Sequence, residues 1–142
     1  IIPKVTQQLI REYTYAFSSV CPETGNLFSL IMPYADSQAM NIFLKLLSDQ
    51  QQNERIILCM DKAGWHTTKQ LEIPKNIILW FLPPYSPELN PVELIWRELR
   101  AKHFNNKTFN SLSDVDRHLE YALKDFAKDK ESLKKLTKIN YL

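Results

Sequence analysis

Apolar and polar positions alternate from Glu12 to Val20, which places Tyr13, Tyr15 and Phe17 on one face of a strand. Pro22-Glu23-Thr24-Gly25-Asn26 is turn chemistry, and Leu27 to Pro33 reads as a second strand, so an antiparallel hairpin is predicted. The period then changes. Met40, Phe43, Leu44 and Leu47 fall at i, i+3, i+4 and i+7, the stripe of an amphipathic helix, with Asp36 or Ser37 as its cap and the polar run Ser48–Glu54 closing it. Ile56 to Met60 is a continuous apolar run suited to a strand buried on both faces, and it stops abruptly at Asp61. Asn76 to Leu82 contains a second such run, and strand–connection–strand at this spacing predicts parallel neighbours. After the rigid Pro83-Pro84-Tyr85-Ser86-Pro87 loop, Asn90-Pro91 opens a helix running to about His103. A last helix from about Ser113 puts Val115, Leu119, Ala122, Leu123 and Phe126 on one face, and residues 128–142 read as a Lys-rich, fraying tail. The order is hairpin, helix, strand, strand, helix, helix: one mixed α/β domain over residues 1–142.

Composition narrows the class. A chain of 142 residues can bury a core of its own, and 44% hydrophobic with 24% charged residues excludes a disordered tail, a collagen or a coiled coil. No run approaches the roughly 18 apolar residues of a membrane span, and no basic-then-apolar leader is present, so a soluble domain with no membrane partner is expected. Cys21 and Cys59 lack metal-ligand spacing and are expected to be small buried residues in a reducing compartment. The two glycines, Gly25 and Gly64, each mark a turn. Because the sequence begins at Ile1, a segment upstream is expected to have been removed, processed or left out. The net charge of +2 does not announce a nucleic-acid binder, but eleven of the cations fall between Arg97 and Lys138. They form either a solvated helical face or a phosphate-contacting surface.

Two acids stand out by position. Asp61 ends the first buried run, and Glu93 lies one turn into the helix after the second, with 31 residues between them. A right-handed crossover and one loop can bring both to the same sheet edge. Carboxylates forced together repel, and a divalent cation is their usual neutraliser. Each also has a purely structural reading. Asp61 can cap the following turn, and Glu93 sits at the third helical position after Asn90, a capping box, with Arg97 as its i+4 partner. Spacing alone leaves both readings open. His66, beside Trp65, has no partner by spacing; Ser86 has no nucleophile elbow, and no glycine-rich phosphate loop exists.

The run Leu82-Pro83-Pro84-Tyr85-Ser86-Pro87-Glu88-Leu89-Asn90-Pro91-Val92-Glu93-Leu94-Ile95-Trp96 resembles the signature of mariner-like and bacterial insertion-sequence transposases, DDE superfamily endonucleases. Met60-Asp61-Lys62-Ala63-Gly64-Trp65-His66 is similar to the motif around that family's second acid, and Gln8–Tyr13 with Cys21–Gly25 resembles its bacterial branch. The resemblance implies a ribonuclease-H-like mixed sheet flanked by helices and an Asp-Asp-Glu metal triad. Asp61 matches the second acid and Glu93 the third, as catalytic and metal-binding residues, with His66 in a supporting position. It implies two Mg²⁺ or Mn²⁺ ions in the complete site, phosphodiester hydrolysis and strand transfer at transposon ends, and double-stranded DNA as partner, both transposon ends and target. A homodimer and a bacterial cytoplasmic, nucleoid-associated location are further family expectations. Arg97, Arg100 and Lys102, on the Glu93 helix, are the candidate DNA contacts. The family's end-recognising helix-turn-helix region has no counterpart in these residues, so sequence-specific binding by them is not expected.

The sequence departs from the family in one respect. No acid matches the first Asp: Glu12 falls inside the hairpin and Asp36 follows it. The strand that would carry that Asp is central in the family's sheet, and its loss would leave two unpaired edges. Residues 1–10 or a second copy of the chain are expected to cover that seam, unless an upstream segment does. Whether these residues act as an enzyme therefore stays open. The alternative is a catalytically inactive transposase remnant, a folded module that dimerises or stands alone. A cellular ribonuclease-H-like nuclease is a third reading, into which the Pro-Pro-Tyr-Ser-Pro run fits poorly.

Overall fold

A computed structural model describes residues 14–61, 69–83 and 90–138. Its contacts divide the chain into two units, Ile1–Tyr34 with Pro91–Leu142, and Ala35–Asn90.

The first unit is built on the hairpin of β1 (Tyr15–Cys21) and β2 (Asn26–Met32), antiparallel and in register from Tyr15↔Met32 to Cys21↔Asn26. Its tip needs a residue with positive φ, and Gly25 supplies it at 77°, its N–H donating to the Cys21 carbonyl at 2.7 Å. In the middle of the ladder the Ser18 and Ser29 hydroxyls share a hydrogen bond of 2.6 Å. The position of β1 that faces the core is Ala16, with Ile31 opposite; Tyr15 and Phe17, on the other face, are half-buried. Against the Ala16–Ile31 rung pack Trp96 and Leu99 of α2 (Pro91–Leu99) and Leu119, Ala122 and Leu123 of α3 (Leu112–Lys128). α2 continues as a π-helical turn over Arg100–Phe104, and α3 starts at Ser111, whose side chain accepts from the Asp114 N–H.

The Lys-rich end does not fray as expected. Lys130–Leu136 is a fourth helix, α4, which buries Leu133 and packs on β2, α2 and α3. Asp129 caps it through hydrogen bonds from Ser132 N–H and Oγ, and Thr137 closes it, fully buried, its hydroxyl donating to the Leu133 carbonyl at 2.6 Å. Residues 139–142 lie outside the described residues.

In the second unit, α1 (Ser37–Gln50) buries Met40, Phe43, Leu44 and Leu47, the stripe its sequence predicts, and Asp36 caps it by accepting from Ala39 N–H at 2.9 Å. β3 (Ile56–Met60) and β4 (Ile77–Phe81) pair in parallel, Ile56↔Ile77 to Met60↔Phe81. Asn76 ties the start of β4 to the end of α1: its amide donates to the Gln51 and Glu54 carbonyls and its oxygen accepts from Ser48 Oγ. The strands are not buried on both faces. Met60 and Ile77 are buried, while Ile57, Ile78 and Trp80 are 64%, 58% and 61% exposed. The apolar run seeks burial, but only one face meets packed side chains. Cys59 shares the open face and Cys21 ends β1, so both thiols are exposed rather than buried.

Secondary structure is mixed α/β, as expected, with two two-stranded sheets among the described residues, β1–β2 and β3–β4. The expected cover from residues 1–10 lies outside the described residues.

Candidate active site

Asp61 is the first residue beyond β3, exposed, at the carboxyl end of a parallel pair. Its backbone position is fixed by its neighbours: the Met60 carbonyl accepts from Leu82 N–H at 2.8 Å, which extends the ladder past the end of β4. Carboxyl edges of parallel strands are where chain direction turns away and side chains are offered to ligands. The apolar strand thus delivers an acid to solvent at a position its own hydrogen bonding defines.

Glu93 is the third residue of α2 and half-buried. Val92, Ile95, Trp96 and Leu99 face inward, which anchors this turn from the opposite side. The helix N-terminus favours a carboxylate here. The i+4 ion pair with Arg97 that the spacing suggests is not formed among the described residues, so that structural reading of Glu93 loses one of its two supports. Arg97 and Arg100 are exposed, and Arg97 lies one turn beyond Glu93 on the same side of α2.

Lys102 is differently placed. It lies in the π-helical turn, its ammonium 3.4 Å from Asp125 of α3 and 5.7 Å from the centre of the Phe126 ring. His103 shares the same carboxylate, with Nε2 3.1 Å from Asp125 Oδ2. Its ring is buried among His118, Tyr121 and Phe126, and His118 Nε2 donates to the His103 carbonyl. Partial burial alone would raise the Asp125 pKa, but Lys102 and His103 outweigh it and hold the carboxyl below the usual range. This cluster was absent from the sequence reading, which saw His103 only as a helix end. Its one legible signal is the stripe His118, Tyr121, Asp125 and Phe126 along a single face of α3.

His66, Gly64 and Ser86 lie outside the described residues. Among the described residues no group of three or more His, Cys, Asp or Glu side chains is placed to hold a metal ion. No described helix is long and apolar enough to cross a membrane.

Residues 4–116 match the family model of the DDE superfamily endonucleases. The chain belongs to that family. It is also 40% identical over 107 residues to an uncharacterized protein, y4pE/y4sA, of Sinorhizobium fredii (strain NBRC 101917 / NGR234), covering 75% of this chain and 79% of that one. Both Asp61 and Glu93 fall within the DDE endonuclease match, as does the whole second unit. The match ends at Asp116, so most of α3 and all of α4 lie beyond it. Membership makes nucleic-acid strand cleavage the activity of the family, and DNA the substrate it implies.

Proposed function

We propose that this chain is a transposase catalytic domain, a single domain over residues 1–142 built on a ribonuclease-H-like sheet. In it Asp61 and Glu93 provide two carboxylates of the metal site for cleavage and joining at transposon DNA ends. The observation that supports this best is the position of Asp61. A parallel strand that buries Met60 ends on an exposed acid, with the Met60 carbonyl locked beside it by Leu82. A turn cap does not require that placement, whereas a ligand at a carboxyl sheet edge does.

The donors suit the cation the family implies. Mg²⁺ and Mn²⁺ favour hard oxygen ligands, few from protein and the rest from water and phosphate. Asp61 is exposed, and Glu93 is free of the Arg97 pairing that would compete with a cation. When bound, such ions activate water or a 3′-hydroxyl and stabilise the leaving oxygen. The chain's own part is positional. β3 and its ladder fix Asp61; the inward packing of Val92, Ile95 and Trp96 fixes the turn that carries Glu93. Arg97, exposed on α2, and Arg100, exposed at the start of the π-helical turn, would attract phosphate oxygens, and His66 would orient groups around Asp61. Lys102 is assigned mainly to Asp125, so its phosphate role in this site is the weakest of the three. No residue of the sequence matches the family's first Asp. That makes metal binding, rather than turnover, the decisive test.

Mn²⁺ titration of the intact chain, followed by calorimetry, should show saturable binding. Asp61→Asn and Glu93→Gln should each weaken it by more than about 100-fold, since even outer-shell partners of a metal cost 10–100-fold. Unchanged binding in Glu93→Gln, with the helix content of the parent, would return Glu93 to its capping role and leave the chain an inactive remnant.

A further inference from the structure

The charge distribution beyond the family match is uneven. Residues 124–138 contain six lysines against three acids, an excess of three where the whole chain carries only +2. The acids are committed inside the fold. Glu131 pairs with Lys134 at 3.4 Å, Asp125 serves His103 and Lys102, and Asp129 caps α4. Hydrogen bonds from Ser132, then the charges of Lys102 and Lys135, hold Asp129 below the usual carboxylate range. Lys102 of the π-helical turn lies 3.4 Å from Asp125, one helical turn before Asp129, and Lys135 lies on α4, the helix that Asp129 caps. Lys128 lies directly before Asp129 and three residues beyond Asp125, and Lys138 follows the end of α4. All four are exposed. Lys128, Lys135 and Lys138 make no ion pair among the described residues, unlike Lys124, which is held by Glu120 at 2.8 Å.

We propose that Lys128, Lys135 and Lys138 form a contact surface for the phosphate backbone of duplex DNA, in addition to any contacts made around Asp61 and Glu93. The proposal rests on the DNA-processing reading above. α4 is about 10 Å long, and duplex DNA presents a charge about every 3.4 Å of axis on each strand, so about three phosphates can lie along it. Leu133 is turned inward, which leaves the exposed side of α4 to its lysines, Ser132 and Glu131, and Glu131 is paired with Lys134. A purely solvated face would not need three cations without an ion pair among the described residues beside carboxylates already satisfied.

Binding of a labelled random-sequence duplex to the full chain, followed by fluorescence anisotropy over a salt series without divalent metal, tests this. Each phosphate contact contributes about −0.9 to the slope of log affinity against log salt. In the variant Lys128→Gln/Lys135→Gln/Lys138→Gln the slope should become shallower by roughly 2–3, with affinity reduced more than about tenfold at moderate salt. The variant Arg117→Gln/Lys124→Gln, which removes cations already paired on α3, should change it by less than about 1. An unchanged slope in the triple variant, equal loss in the control, or no duplex binding by the parent chain at the lowest salt would overturn the proposal. So would preferential binding of single-stranded RNA. The triple lysine variant should bind Mn²⁺ as the parent chain does. Failure of the lysine surface with Mn²⁺ binding intact therefore leaves the metal reading standing, and the reverse outcome leaves the surface standing.

Discussion

Gly25 shows how one residue can be tied to a distant element. Its φ of 77° is required by the hairpin tip, yet the tighter constraint is spatial: a Cβ there would lie 2.1 Å from the backbone oxygen of Lys130. The hairpin tip is thus pressed onto the start of α4. Gly25→Ala should cost about 2–5 kcal/mol, combining about 1–2 for the left-handed backbone with about 1–3 for overpacking. Asn tolerates the left-handed region but carries the same Cβ, so Gly25→Asn should recover little of the loss in a denaturant titration. Full recovery would mean that only the turn matters and that α4 yields. The turn was legible from Pro22-Glu23-Thr24-Gly25; its contact with residue 130 was not, because nothing local in either segment records the approach. The same holds for His103, whose carboxylate partner is 22 residues away.

At the scale of elements, the periodic stretches were the legible ones. α1 and α3 bury the apolar stripes their sequences carry, because a 3.6-residue period leaves one face to bury. One element, α4, and the burial of one strand pair, β3–β4, escaped for opposite reasons. α4 is too short to hold itself helical in water, and it forms because Leu133 and Thr137 dock; six lysines nearby mask that two-residue signal. β3 and β4 are apolar on both sides, yet hydrophobicity states only that a face seeks cover and not whether neighbouring residues provide it. Their register depends on polar ties as well. Asn41 accepts from Glu72 N–H at 2.8 Å and donates to the Gln70 carbonyl, holding the connection to α1, and Asn76 makes three such bonds at the start of β4. Asn76→Ala should therefore cost about 1–3 kcal/mol, at roughly 1 per bond after partial replacement by water. It should also raise amide exchange at Ile56, whose N–H donates to the Asn76 carbonyl at 2.7 Å. If exchange there stays at the parental rate, the ladder is held by its apolar contacts alone.

At the scale of the whole molecule, the acids proposed for chemistry differ from those that hold the fold. Asp61 is legible because it ends an apolar run and Glu93 because it lies one turn into the helix after the second run, and a family motif surrounds both. The acids that hold the first unit, Glu120, Asp125 and Asp129, carry no motif and gain their roles from Lys124, from Lys102 with His103, and from Ser132. All three have depressed pKa values in the fold. An unfolded carboxylate takes up its proton near pH 4, before the folded one does, so the unfolded state binds more protons between the two values. Stability from these groups is therefore complete above about pH 5 and lost as pH falls through the folded pKa values. Asp125→Asn/Asp129→Asn removes the titration but keeps the shape of the protonated side chains. Its melting temperature should lie below the parent at neutral pH, and the two curves should converge as pH falls below the folded pKa values. Curves that stay parallel throughout would assign acid sensitivity to groups elsewhere in the chain. Convergence would show that the lysine surface around Asp129 rests on carboxylates that remain ionised wherever DNA is bound.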